Sequence, residues 1–147
     1  MTTATADAAA TELVITRSFD ATPEQVFDAW CSPKLAKWIG PGKVRAEVEM
    51  MEARVGGRYR IKMNTPDGAT PMVGGVYREI TRPTRLAFTW TWEHEKHEML
   101  ITLSFRAVGK KTEMTLHQQN IASAERRDNH KQGWGGSFDK LAEFLAG

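Results

Sequence analysis

The chain has 147 residues, 20 of them Lys or Arg against 18 Asp or Glu, and 41% are hydrophobic. These proportions fit one globular domain with a sizeable core and exclude disordered and fibrous classes. A net charge of +2 scattered along the chain gives no sustained field for a phosphate backbone, and no apolar run approaches the roughly 20 residues a spanning helix needs, so neither nucleic acid nor membrane insertion is expected.

Residues 1–11 are an Ala/Thr-rich stretch without the basic and apolar regions of a signal peptide, and read as a disordered tail before a domain over 12–147. The single cysteine, Cys31, has no intrachain mate, which suits a reducing cytoplasm, and reads as a small buried apolar residue. Glu12 to Asp20 carries Leu13, Val14, Ile15 and Phe19 in a strand pattern. Thr22, Pro23 and Gln25 then form a Thr-x-x-Gln start signal for a helix with Val26, Phe27 and Trp30 on its apolar face. Ser32-Pro33 repeats the signal, so a second short helix should carry Leu35 and Trp38 and stop at Gly40-Pro41.

From Lys43 to Asn120 the period changes to alternation, with turn signals recurring every ten residues or so. Val44 to Glu52 is a strand, Gly56-Gly57 a break, and Arg58 to Asn64 a strand with Tyr59, Ile61 and Met63 on one face. Met72 to Thr81 follows the Pro66-Asp67-Gly68 loop, and its Gly74-Gly75 pair reads as a bulge. Leu86, Phe88, Trp90 and Trp92 share the next apolar face. Ile101, Leu103 and Phe105 repeat it after a charged hairpin, and Met114 and Leu116 after a Gly-Lys-Lys turn. Ser123 to Ala146 is an amphipathic helix through Trp134, Phe138, Leu141 and Leu145, with Phe144 beside them. Gly133, Gly135 and Gly136 interrupt it, so either the helix starts late at a Ser137 cap or a long helix places glycine where bulk is unwanted.

A one-sided antiparallel sheet needs a covering layer, and only the last helix is long enough to supply it. The resulting order of elements resembles the START-like (SRPBCC) superfamily and its helix-grip fold. The nearer likeness is to the bacterial branch resembling the activator of heat-shock-protein-90 ATPase. It rests on Arg17 to Trp30, Pro33 to Trp38 with Gly40-Pro41, Gly56-Gly57-Arg58-Tyr59, Arg85 to Trp90, and Gly133-Trp134 ahead of Phe138 to Leu145, and covers about Leu13 to Leu145. The resemblance implies an α+β fold: a seven-stranded curved antiparallel sheet gripping the long C-terminal helix, closed at one end by two short helices, with a cavity that in relatives takes apolar molecules. Glu52 departs from the aspartate expected ahead of the glycine pair, and three glycines around Trp134 exceed the usual number.

The rings should converge between sheet and helix, which makes Trp38, Tyr59, Ile61, Met63, Phe88, Trp90, Trp92, Leu103, Phe105, Gln118, Trp134 and Phe138 the candidate ligand-binding set. Glycines opposite them leave space that an apolar or aromatic small molecule could fill. Gln118 shares the inward parity of Leu116, as a polar group inside the cavity or at its rim, while His117 points outward. His94 and His97 fall in the charged hairpin and read as solvated, so no metal is expected, and no motif calls for a cofactor. Two other readings stand beside the binding protein: a cyclase-like or hydrolase-like enzyme using Gln118 or Tyr59, and a chaperone-associated protein, as the branch name implies. A monomer or a homodimer would serve any of them.

Overall fold

The computed structural model describes residues 11–147, so the tail expected over 1–11 lies almost wholly outside the described residues. Seven strands form one antiparallel sheet: β1 Leu13–Phe19, β2 Arg45–Met51, β3 Arg58–Asn64, β4 Met72–Thr81, β5 Arg85–Trp92, β6 Met99–Val108 and β7 Lys111–Gln119. Their spatial order is β1-β7-β6-β5-β4-β3-β2. The five hairpins from β2 to β7 join sequence neighbours, and β1 closes against β7 with Leu13 opposite Gln118 and Phe19 opposite Thr112. Helix α1 spans Pro23–Trp30, and helix α2, Ala124–Ala146, crosses the inner face of the curved sheet.

Local chemistry accounts for the helix ends. The Thr22 hydroxyl accepts from the Gln25 N–H at 3.2 Å while the Thr22 N–H donates back to Gln25 Oε1 at 2.9 Å, so two otherwise orphaned donors are satisfied together. The second short helix, Pro33–Lys37, is a five-residue 3₁₀ helix capped by Ser32, in keeping with the short span between that cap and Gly40. Helix α2 starts at Ser123, whose hydroxyl accepts from the Arg126 N–H at 3.2 Å, and runs unbroken through all three internal glycines. The late start at Ser137 is therefore excluded.

The bulge expected at Gly74-Gly75 is not there: Tyr59 pairs with Gly75 and Arg60 with Gly74 in unbroken register. The register shifts instead between Val48 and Met50 in β2 and between Tyr77 and Glu79 in β4, and these two bulges add bend to the sheet. The glycine pair serves close approach. A Cβ on Gly75 would stand 2.0 Å from the Thr89 carbonyl oxygen, and one on Gly74 2.6 Å from that of Tyr59. The Thr89 oxygen accepts from the Tyr59 hydroxyl at 2.5 Å, and the Thr89 hydroxyl accepts from the Val76 N–H at 2.8 Å.

The core is a single layer of side chains between sheet and helix. At its closed end the Trp30 ring meets Trp38 at 4.7 Å and Phe138 at 6.1 Å between centroids, and Phe27 meets Phe105 at 5.6 Å. Both indoles are satisfied there: Trp38 Nε1 donates to the Ala29 carbonyl at 2.9 Å and Trp30 Nε1 points at Met114 Sδ at 3.2 Å. Burying each such ring contributes about 1.5–3 kcal/mol, so this end supplies much of what holds α1 and α2 on the sheet.

Candidate functional site

The loop after the 3₁₀ turn is tied to α2 from both sides. Ser137 Oγ accepts from the Gly40 N–H at 2.9 Å, and Lys140 Nζ donates to the carbonyls of Gly40, Gly42 and Val44 at 2.7, 3.2 and 2.9 Å. Burial of the ammonium, followed by the nearby Arg45, pulls the Lys140 pKa down, with Glu143 acting upward. Gly136 is where the loop crosses the helix, since a Cβ there would stand 2.7 Å from Pro41 Cβ. One glycine of the three is thus required by close packing.

Gly133, one turn earlier, has the opposite surroundings: a Cβ built there meets nothing within 4 Å. The space it leaves belongs to a recess of about 300 Å³ between α2, the sheet and the 40–44 loop, walled chiefly by Ile39, Val44, Met63, Trp90, Trp92 and Trp134. Its polar fringe is Thr65, Asn129, His130 and Ser137. A wider hollow of about 900 Å³ lies beyond the loop, but its border is largely charged, with Lys37, Lys43, Arg45, Glu47 and Lys140, and it offers no ring. The apolar recess is the better candidate for a small-molecule site.

Four of the twelve residues singled out from sequence line this recess: Met63, Trp90, Trp92 and Trp134. Tyr59, Ile61 and Phe88 surround, with the other side of Trp90, a void of only about 10 Å³, and so are packed core. Trp38 and Phe138 are buried in the closed end, Phe105 packs on Phe27 of α1, Leu103 is fully buried, and none of the four lines the recess. The Tyr59 hydroxyl is committed to Thr89, and burial drives its pKa well above that of an ordinary phenol.

Gln118 is fully buried behind the recess wall and is the hub of a short polar chain. Trp134 Nε1 donates to Gln118 Oε1 at 2.9 Å, while Gln118 Nε2 reaches His130 Nδ1 at 3.0 Å and Met99 Sδ at 3.2 Å. His130 was not among the residues singled out from the sequence, although it lies four residues before Trp134 on the same helical face. Burial lowers its pKa, with Glu95 acting upward and Arg126 downward. Trp90, only 3% exposed, carries at Nε1 a buried side-chain donor that finds no partner among the described residues. Leaving such a group unpaired costs about 1–3 kcal/mol.

The remaining candidates for chemistry are dispersed. Cys31 is half-buried at the end of α1, and burial, followed by nearby Asp28, raises its thiol pKa away from the reactive thiolate. His97 Nε2 lies 2.6 Å from the Asn120 carbonyl and His94 sits on the exposed hairpin near Glu95. His117 faces outward and meets Glu12 Oε1 at 2.7 Å. Among the described residues no three His, Cys, Asp or Glu side chains form a group that could hold a metal ion, and no helix is long and apolar enough to cross a membrane.

This architecture defines a START-like helix-grip protein, a fold class that typically binds ligands. The chain belongs to the family described as Activator of Hsp90 ATPase homolog 1-like protein, whose model matches residues 20–146. Among solved structures it is similar to a protein of Chromobacterium violaceum at 27% identity and a TM-score of 0.87, with 92% of this chain and 96% of that one covered. A Rhodobacter sphaeroides protein is 28% identical with a TM-score of 0.81, covering 93% of each chain. A Silicibacter pomeroyi protein of the same family name is 26% identical with a TM-score of 0.80, covering 92% of this chain and 97% of that one. No curated protein matches the chain.

Proposed function

We propose that the protein binds a small apolar or aromatic molecule in the recess between α2 and the sheet. The observation that carries this reading is the recess itself: three tryptophans and several aliphatic side chains face a space that Gly133 leaves open. Interiors close-pack to few voids larger than a water, and a helix accepts glycine at about 1 kcal/mol relative to alanine, so a mid-helix glycine beside an unfilled apolar space favours an occupant. At about 300 Å³ the recess is at the lower end of small-molecule sites. Since an apolar cavity of roughly 150 Å³ holds benzene, its occupant would be a molecule of one or two rings.

Two observations weigh against an enzyme built on Tyr59 or Gln118: the Tyr59 hydroxyl is tied to Thr89, and Gln118 is held on both sides by Trp134 and His130. Nothing in the recess favours a chaperone-associated role over ligand binding. The test is a panel of one- and two-ring molecules scored by native mass spectrometry and thermal shift against the wild type and Gly133→Phe. The reading expects ligand-dependent stabilisation of the wild type and its loss when the phenyl group fills the recess. Stabilisation that survives Gly133→Phe, or none for any molecule, would place the function elsewhere.

A further inference from the structure

We infer that His130 is the specificity-determining residue of the recess, held in one tautomer so that it donates a hydrogen bond to a neutral acceptor oxygen on the ligand. This rests on the recess being the binding site and goes on to name the chemistry of what it takes.

The hydrogen-bonded chain Trp134, Gln118, His130 fixes the tautomer. An indole nitrogen can only donate, so the amide beside it must present its oxygen, and Trp134 Nε1 meets Gln118 Oε1 at 2.9 Å. That fixes which way the Gln118 amide points. Its NH₂ group is turned to Met99 Sδ, which can only accept, and to His130 Nδ1 at 3.0 Å. An NH₂ group donates, so Nδ1 of His130 must be the bare, accepting nitrogen, and in the neutral ring the proton then sits on Nε2. A protonated His130 would set an N–H against the NH₂ of Gln118, so the chain opposes the imidazolium in the same direction as burial does.

His130 therefore brings one N–H, on Nε2, to the fringe of an otherwise apolar recess, and Nε2 has no hydrogen-bond partner among the described residues. On the sheet side, the indole N–H of Trp90 is buried and also lacks a partner among the described residues. Both are donors. Among the described residues no Lys or Arg lines the recess, and Lys140, three residues past Ser137 on α2, is engaged with three loop carbonyls. Arg126, the cation that bears on His130, is paired with Glu95. A carboxylate would thus find no lysine or arginine on the recess wall, while an uncharged carbonyl or ether oxygen on a ring would match the His130 donor. A hydrocarbon of equal shape would fill the space and leave the His130 N–H unpaired.

The test compares 1-indanone with indane, two rings of nearly the same shape that differ in one carbonyl oxygen, by calorimetric titration of the wild type and His130→Phe. Imidazole ¹⁵N chemical shifts of the free wild-type protein report the tautomer independently. The expected result is the Nε2–H tautomer, 1-indanone bound roughly ten- to a hundredfold tighter than indane, and that ratio falling towards one in His130→Phe while indane binding is kept. Equal binding of the two by the wild type, or a proton on Nδ1, would overturn the role of His130 and leave the recess as a purely apolar site. Binding of neither would remove the recess reading and this inference together.

Discussion

The ring cluster around Trp30 and the one around Trp134 are built from the same kinds of residue, yet the first is solid and the second borders a recess. At the closed end Trp38 and Phe138 press on Trp30 from two sides, and the Trp30 and Trp38 indole nitrogens both have partners. At the other end Trp134 stacks on Phe138 at 5.6 Å and leans on Trp90 at 5.1 Å, but the next turn of helix offers Gly133 and the half-buried His130 in place of another large apolar group. Whether aromatic residues become core or cavity is decided by what stands opposite them.

The comparison can be pressed by mutation. Phe138→Ala should cost about 3–5 kcal/mol in urea unfolding, because the packed end cannot collapse around the lost ring. Met63→Ala, on the recess wall, should cost nearer the lower end of the range for its type, about 2 kcal/mol, since its side chain already borders space. A reversed order would mean that the recess is filled in solution and the closed end is loose.

The two helical glycines should respond with opposite signs. Gly136→Ala drives a Cβ into Pro41 and should destabilise by about 1–2 kcal/mol after its helix-propensity gain is counted. Gly133→Ala meets no obstacle and should stabilise the unliganded protein by about 0.5–1 kcal/mol. Chemical denaturation of the two variants side by side decides it, and the same sign for both would undo the distinction between packing and space.

The smallest effect expected is in the pH dependence. His130 has its pKa lowered in the folded state, so the unfolded chain binds the proton more readily; stability should be full above the ordinary histidine range and decline as pH falls below about 6.5, levelling once the folded protein is also protonated. Glu95 opposes this shift and Arg126 reinforces it. Urea midpoints of the wild type and His130→Gln across that range should differ in slope, with the variant flatter; parallel curves would show that His130 is not the group responsible.

Most of the fold was legible because alternation in the strands and the four-three-four spacing through Trp134, Phe138, Leu141 and Leu145 report which face is apolar. The parity that put Gln118 inward was enough to find it buried, but not to find its partners, which come from β6 and α2. Periodicity is silent on what a residue faces across the core. Hence Tyr59, Phe88 and Trp90 looked alike in sequence, although of the three only Trp90 reaches the recess. The bulges were missed because they fall at Glu49 and Arg78, residues with no local signal, while the glycine pair that suggested one answers to the Thr89 and Tyr59 carbonyls instead. His130 was overlooked as a polar residue on a helix, though its spacing from Trp134 was visible.

The five indole N–H groups distinguish the two ends directly, since each gives one signal in a ¹H–¹⁵N spectrum. On titration with indane, the signals of Trp90, Trp92 and Trp134 should move and broaden while those of Trp30 and Trp38 stay in place, and Gly133→Phe should abolish the response. Five unmoved signals, or shifts centred on Trp30 and Trp38, would contradict a recess that takes an apolar ring.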